Sequence, residues 1–405
     1  MNKDYVKPNI FVYRLAQTLG FVTSTFLFRK KTLRNEIKGV KGAYVIIANH
    51  EAQLDAANLI CATSRPMTFV ASNSFYRSLS RPVHFLLKKL AVIPKQQFQT
   101  SLNEMKRIKA VTDSGNPLVI YPAGLMCEDG ISTPIPRGTY KFLKWLGVDV
   151  YAARTTGTYF AQPKWAKKTR PGRTYIDIYK LLDASQLESM SLDEIENTAN
   201  AALMFDAYRD QERYLCRYSN SDVIEGLENV LYMCPHCGKE FSVAVKNKNS
   251  IFCTECGFEE ISDKYSFLHR KSRIGKEMRY VSDWSREIFT KVKERIKTAP
   301  DTVLTLKTKI HIIDKARCKF CEVGSGILTL SEKLITLKGE INGEAVDLSA
   351  ATASYPTLPF MPGRYVELQI KDKIYRCVLN DGRQAMKFIH HLKAFYELKF
   401  SKKEQ

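Results

Sequence analysis

Apolar and polar positions follow different rhythms along this chain, and the change of rhythm marks its parts. From about Val40 to Tyr218, short β-branched runs alternate with helical periodicity, the pattern of an α/β sheet with helices on its faces. The runs predict strands at 43–48, 67–71, 118–121, 148–154 and 174–179, and helices at 53–63, 100–113, 138–146 and 192–213. Past residue 262 the rhythm changes. An amphipathic basic helix is expected at 282–297, a run of short alternating strands with turns such as Asn342-Gly343 at 302–379, and a closing helix at 383–398. In the α/β part the polar residues collect after the strands, so the loops opening at Asn49, Pro122 and Thr155 are where chemistry is sought.

The long apolar stretch at 10–28 is interrupted by polar residues. On a helix, Arg14, Gln17, Thr18 and Thr25 share one side, and Phe11, Leu15, Leu19, Val22 and Phe26 share another. This predicts an amphipathic helix lying in a membrane interface, against the alternatives of a helix packed on its own domain or a single tilted span. Arg29, Lys30, Lys31 and Arg34 follow, each worth ~1 kcal/mol near anionic headgroups. No small-residue cleavage site follows the stretch, which argues against a signal peptide.

Composition sharpens this. A chain of 405 residues, 44% hydrophobic and 26% charged, can bury two or three domain cores, and its net charge of +20 asks for an anionic partner. That partner is a lipid surface or a nucleic acid. The charge is spread over both halves with no evident aromatic stacking platform, so no nucleic-acid partner is expected. Ten cysteines are too few for a disulfide scaffold in so long a chain, and four stand in paired C-x-x-C units, which indicates metal in a reducing, cytosol-facing compartment.

The candidate chemistry begins at Ile46-Ile47-Ala48-Asn49-His50, where a histidine leaves a buried strand with Asp55 five residues on. A carboxylate bonded to one ring nitrogen fixes the tautomer, leaving the other to take a proton from a hydroxyl. Alone, this spacing favours a structural histidine capping the strand. Further along come Tyr121-Pro122-Ala123-Gly124 and Pro136-Arg137-Gly138-Thr139. In this order and spacing the segments resemble the glycerolipid acyltransferase family that includes lysophosphatidic-acid (1-acylglycerol-3-phosphate) acyltransferases, whose hallmarks are N-H-x-x-x-x-D and F-P-E-G-x-R-S. Ala91-Val92-Ile93-Pro94-Lys95 resembles its second block, 147–153 its fourth, and Pro171-Gly172-Arg173-Thr174 its turn into the last strand, so the resemblance spans about 10–215.

The resemblance implies that His50 deprotonates an acceptor hydroxyl, that Asp55 orients His50, and that the donor is acyl-CoA or acyl carrier protein. It suggests substrate-binding roles for Asn49, Lys95, Tyr121, Pro122, Gly124, Arg137 and Gly138, with N–H groups near Gly124 as oxyanion donors. Gly124 equally fits a turn that needs positive φ, and Arg137 a solvated arginine before a helix. Ala123 and Met126 replace the family's Glu and Arg, so the acceptor, a lysophospholipid or related lipid, loses its expected phosphate partner unless Lys95, Arg137 or Arg154 supplies the charge.

Cys234-Pro235-His236-Cys237-Gly238 and Cys253-Thr254-Glu255-Cys256-Gly257 predict two knuckles around one structural zinc, Cys234, Cys237, Cys253 and Cys256 filling all four positions, with His236 a bystander. Cys318 and Cys321 have no second pair and read as ordinary thiols. The expected fold is a mixed α/β sheet flanked by helices, plus a small zinc ribbon and a β-rich C-terminal domain with a closing helix. The expected division is a membrane-contacting helix at 1–35, an acyltransferase domain at 36–225, a zinc ribbon at 230–262, a helical linker at 263–300 and a pleckstrin-homology-like β domain at 301–405. Two other readings compete: a zinc-ribbon binding module for nucleic acid or protein, and a catalytically lapsed lipid-binding scaffold.

Overall fold

Strands predicted from β-branched runs do line up in one sheet, and their alternation explains how the sheet is sealed. The computed structural model describes residues 6–401 except 78, 97–100, 315 and 371–372. Seven strands, β1 (Lys31–Asn35), β2 (Tyr44–Ala48), β3 (Thr68–Ser72), β4 (Ile93–Lys95), β5 (Leu118–Ile120), β6 (Asp149–Thr156) and β7 (Tyr175–Leu182), take the order β1-β7-β6-β2-β5-β3-β4. Neighbours run parallel except the antiparallel β6–β7 pair. Central β2 is buried throughout. With period two, Val45 and Ile47 enter one core with Ile108, Leu143 and Ala199, while Tyr44, Ile46 and Ala48 enter the other with Leu59 and Met67.

The helices of this unit are α1 (Ile10–Val22), α2 (Asp55–Ile60), α3 (Asn73–Arg77), α4 (Arg81–Lys89), α5 (Leu102–Asp113), α6 (Gly138–Leu146), α7 (Thr158–Ala161), α8 (Ala184–Ser189), α9 (Leu192–Leu203) and α10 (Ala207–Tyr214). Capping boxes at Ser101, Asp183 and Ser191 start α5, α8 and α9. The expected start of α5 at Thr100 lies outside the described residues. Two strands escaped the pattern because they are short or exposed: β1 reads Lys-Thr-Leu-Arg-Asn, and β4 has three residues. The single helix expected at 192–213 is two. Met204 is extended, Asp206 caps α10, and Ser132 and Phe205 are bonded to each other, which holds the break open.

Helix α1, prolonged by a π-helical turn at Thr23–Leu27, reverses the usual amphipathic arrangement. Its inner side is small or polar: Gly20 sits against Ala57, Ile60 and Cys61, and Gln17 donates to the carbonyls of Ile60 and Thr63. Its outer side carries a large apolar area, Phe11 82% and Phe26 72% exposed beside Leu15, Leu19 and Val22, together with the exposed polar residues Arg14, Thr18 and Thr25.

The chain divides into two compact units, 1–163 with 169–219, and 164–168 with 220–405. The amphipathic helix thus belongs to the α/β unit, and residues 164–168, expected in the α/β domain, belong to the second. In that second unit, β8 (Val243–Lys246), β9 (Ser250–Cys253), β10 (Glu259–Ser262) and β11 (Leu268–Arg270) form a four-stranded antiparallel sheet. Helix α11 (Val281–Thr298) was expected as a linker but is core. Its Trp284, Ile288 and Val292 are fully buried; the Trp284 indole donates to the Met233 carbonyl, and Lys291 to that of Pro235. Seven further strands, β12 (Leu304–Asp314), β13 (Lys319–Leu330), β14 (Leu334–Ile341), β15 (Glu344–Ala351), β16 (Phe360–Met361), β17 (Tyr365–Ile370) and β18 (Lys373–Leu379), make an antiparallel sheet closed by α12 (Gln384–Ser401). Asn342 and Gly343, both at positive φ, turn β14 into β15 as their dipeptide predicts.

Candidate active site and cysteine cluster

Strand β2 ends between β5 and β6, so the residues that follow all three strands meet at one edge of the sheet. Asn49 pins the exit: its side chain donates to the Thr155 carbonyl and accepts the Thr155 N–H, both at 2.7 Å. Asp55, the first residue of α2, then reaches back under the loop. Its Oδ2 accepts the N–H groups of Glu51 at 2.8 Å and Ala52 at 3.0 Å, and stands 2.9 Å from His50 Nδ1. An oxygen gathering N–H donors in this way is an acceptor, so Nδ1 carries a proton and, in the neutral ring, Nε2 is the nitrogen with the lone pair. Asp55 is sealed from solvent while the His50 side chain is 21% exposed. The Tyr121 ring lies against the imidazole with centroids 4.4 Å apart and restricts its tilt. His50 lines a pocket with Pro122, Ala123, Ser132, Ile135 and Met204. An imidazole held in this way, among the residues lining a mostly apolar pocket, has the arrangement that proton transfer to a ring nitrogen requires.

Residues 28–156 match the family model described as Acyltransferase. This segment is an acyltransferase domain. Among solved structures, the 1-acyl-sn-glycerophosphate (LPA) acyltransferase PlsC from Thermotoga maritima matches with a TM-score of 0.43 and 16% identity, over 50% of this chain and 80% of that one. No curated protein matches the chain.

The acyltransferase domain brings together only some of the residues singled out above. Asn49, His50 and Pro122 line the pocket, and Asp55 and Tyr121 support His50. Gly124, at φ +69°, donates its N–H to the Tyr121 carbonyl at 2.9 Å, so this N–H closes the turn and is not presented to an oxyanion. Arg137 and Gly138 start α6 outside the pocket lining. Arg137 pairs with Asp193 and with Glu196 of α9, the latter at 3.0 Å. Arg154 is held by Asp210 at 2.8 Å, and Lys95, at the end of β4, donates to the Gln96 carbonyl. Burial holds the Lys95 ammonium below its usual range, with Glu104 opposing.

Two groups beside the base were not foreseen. Thr158 donates toward Asp55 Oδ1 at 2.5 Å, and Glu51, 1% exposed, lies against both Thr158 and the Tyr159 N–H. Thr158 is 103 residues from Asp55 in sequence, too far for local spacing to reveal. The one signal was Gly157 before it, at φ +90°, where a Cβ would collide with the Tyr218 hydroxyl.

In the second unit, the sulfurs of Cys234, Cys237, Cys253 and Cys256 all lie within 4.8 Å of one another. The Cys234–Cys256 and Cys237–Cys253 separations are 3.7 Å. A tetrahedral ion with metal–sulfur bonds of about 2.3 Å needs sulfurs about 3.8 Å apart, so the residues fit such a metal. Backbone N–H groups of His236 and Cys237 point at the Cys234 sulfur, and those of Glu255 and Cys256 at Cys253, neutralising thiolate charge. Gly238 and Gly257, both at positive φ, allow the turns that aim them.

Proposed function

We propose that this protein transfers a fatty acyl group from acyl-CoA or acyl carrier protein to the hydroxyl of a lysophospholipid or related lysolipid, 1-acylglycerol-3-phosphate included, at the cytoplasmic face of a membrane. The observation that carries the reading is the His50–Asp55 pair at 2.9 Å inside the acyltransferase segment, at the mouth of the pocket. His50 Nε2 takes the acceptor's hydroxyl proton as its oxygen attacks the thioester carbonyl. The tetrahedral intermediate then expels the thiolate, to which the imidazolium returns the proton. Asp55, itself held by two loop N–H groups, stabilises the imidazolium between these steps.

The exposed apolar residues of α1 support membrane contact, as does exposed Phe85 on α4, which the Asn9 N–H ties to α1 through the Lys89 carbonyl. The Ile10–Leu27 stretch has the length and apolarity of a span, and only 17% of it is buried. The bonds of Gln17 to the α2 segment favour a helix lying in the interface with its domain. The four cysteines would hold a structural zinc with no site left for chemistry. For the acceptor, Arg137 and Arg154 are engaged by carboxylates of the same unit, which leaves Lys95 as the cation for a phosphate.

The test is release of free CoA from acyl-CoA with a panel of lysophospholipids. His50→Ala should abolish release while keeping the wild-type circular dichroism spectrum. Equal turnover by the variant would remove His50 from the mechanism, and salt-sensitive nucleic-acid binding without CoA release would favour the ribbon-centred alternative.

A further inference from the structure

Glu51 is a buried acid next to another acid, and the hydrogens around it can be counted. Asp55 accepts everywhere: Oδ2 from two backbone N–H groups and His50, and Oδ1 from the Thr158 hydroxyl at 2.5 Å, a separation typical of a hydroxyl donating to a carboxylate. Thr158 has one hydrogen, and that contact uses it. Yet Thr158 Oγ1 also lies 3.0 Å from Glu51 Oε2, which already receives the Tyr159 N–H at 2.9 Å. Were Glu51 a carboxylate, this would be two lone pairs facing each other. Among the described residues Glu51 Oε1 has no hydrogen-bond partner, so an ionised Glu51 would also bury an uncompensated charge.

We infer that Glu51 is a protonated, neutral carboxyl that donates through Thr158 to Asp55, forming a chain Glu51–Thr158–Asp55–His50 in which Glu51 is a positioning residue for the base. Every hydrogen then has an acceptor, and Asp55 faces His50 as the single charged carboxylate of the chain. This role rests on the acyl-transfer reading, whereas the protonation state does not.

The surroundings agree. Burial, then the adjacent Asp55 carboxylate, push Glu51 up to about 8, with Asp210 adding to the rise and the Tyr159 N–H and Thr158 hydroxyl opposing it. Asp210 is itself paired with Arg154; the buried Tyr218 phenol also feels Glu51, and the Cys127 thiol donates to the Glu51 carbonyl. Above that pH a second buried carboxylate would compete with Asp55 for the one Thr158 hydrogen, and Asp55 would keep its two loop N–H donors on Oδ2 but lose the full Thr158 bond on Oδ1.

Infrared difference spectroscopy on the whole protein tests the protonation, comparing wild type with Glu51→Gln. A carboxylic-acid C=O band at pH 7 that is absent from Glu51→Gln, disappears near pH 8 and shifts in Thr158→Val is the expected result. Absence of that band from folded wild type at pH 7 overturns the inference. The positioning role is read from pH–kcat profiles with acyl-CoA and a lysophospholipid. Wild type should lose activity in step with the band, and Glu51→Gln should lack that alkaline fall. Thr158→Val should lose about tenfold at pH 7, the worth of one hydrogen bond to a charged group, with Thr158→Ser restoring it. Parallel wild-type and Glu51→Gln profiles would overturn the positioning role. A titrating band in a protein that never releases CoA would uphold the neutral carboxyl and defeat the acyl-transfer reading.

Discussion

The cysteine cluster and the His50 site assemble their chemistry over very different lengths of chain. The four sulfurs come from residues 234–256, two tight turns that a short sheet brings face to face. The His50 site draws on a loop after β2, the start of α2, the turn after β5 and the start of α7, with Thr158 over a hundred residues from Asp55. The two turns that carry the cysteines are short and polar, so their conformation would depend on the ion even though residues such as Ile251 and Phe258 beside them are buried. A site at the edge of a mixed sheet with a core on each face takes its rigidity from those cores, so replacing the partly exposed His50 should leave the scaffold folded.

The largest expected effect tests the first half of that contrast. Structural zinc in small modules contributes about 10–16 kcal/mol of apparent binding free energy, as much as the whole stability of a typical domain. Chelation, or Cys253→Ser, should abolish the calorimetric transition of the second unit, where α11 bonds the ribbon through Trp284 and Lys291. The α/β unit should keep its own transition. An unchanged scan after complete metal removal, or less than about one zinc per chain as purified, would leave the cluster without a structural role.

His50→Ala should sit next, with a loss of about 10²- to 10⁴-fold in kcat, the usual worth of a general base, and a melting temperature close to wild type. If the variant instead unfolds, His50 is a packing residue against Tyr121 and the contrast between the two sites collapses.

What the sequence revealed follows the same division. C-x-x-C spacing with trailing glycines encodes a whole ligand set, so all four cysteines were legible. The spacing of His50 and Asp55 alone did not separate a working pair from a structural histidine; the ordered segments through Pro171 singled it out, and the fold brings the two side chains to 2.9 Å. Thr158 and Glu51 were not legible: one arrives through tertiary folding, and the other looks like a solvated residue until Tyr159 and Thr158 close over it. The β2, β5 and β6 strands were readable because both faces are buried and the runs are continuous. The exposed strand β1 carries no such pattern, and the break at Met204 depends on pairing with Ser132, far away in sequence.

The Glu51 carboxyl gives a smaller, pH-dependent effect. Its folded-state value of about 8 stands above the ordinary 4.5, so the folded protein keeps a proton that the unfolded chain releases. By linkage this group favours folding most at low pH, and stability falls as pH climbs from 4.5 to about 8, then levels off. Glu51→Gln removes the titration. The variant's stability relative to wild type, from urea melts, should therefore rise across that window, and a flat difference would mean that Glu51 titrates normally.

The smallest effect is expected at Arg137, and it separates sequence from structure most directly. Family resemblance offers this guanidinium to a substrate phosphate, whereas the fold gives it to Asp193 and Glu196 on α9, with 61% of its side chain exposed. Exposed ion pairs are worth roughly 0–1 kcal/mol, so Arg137→Ala should lower stability by no more than that and change KM for a lysophospholipid less than about threefold. A substrate phosphate losing a charge-assisted partner would instead raise KM by about tenfold or more, because such bonds carry about 1.5–3 kcal/mol. Lys95→Ala is the matched comparison: among the described residues no ion pair within 4 Å holds its partly desolvated ammonium, although Glu104 acts on it, so the phosphate-dependent rise in KM should appear there. If Arg137→Ala shows that rise and Lys95→Ala does not, the α9 carboxylates must release Arg137 when the acceptor binds, and the pocket extends to the start of α6.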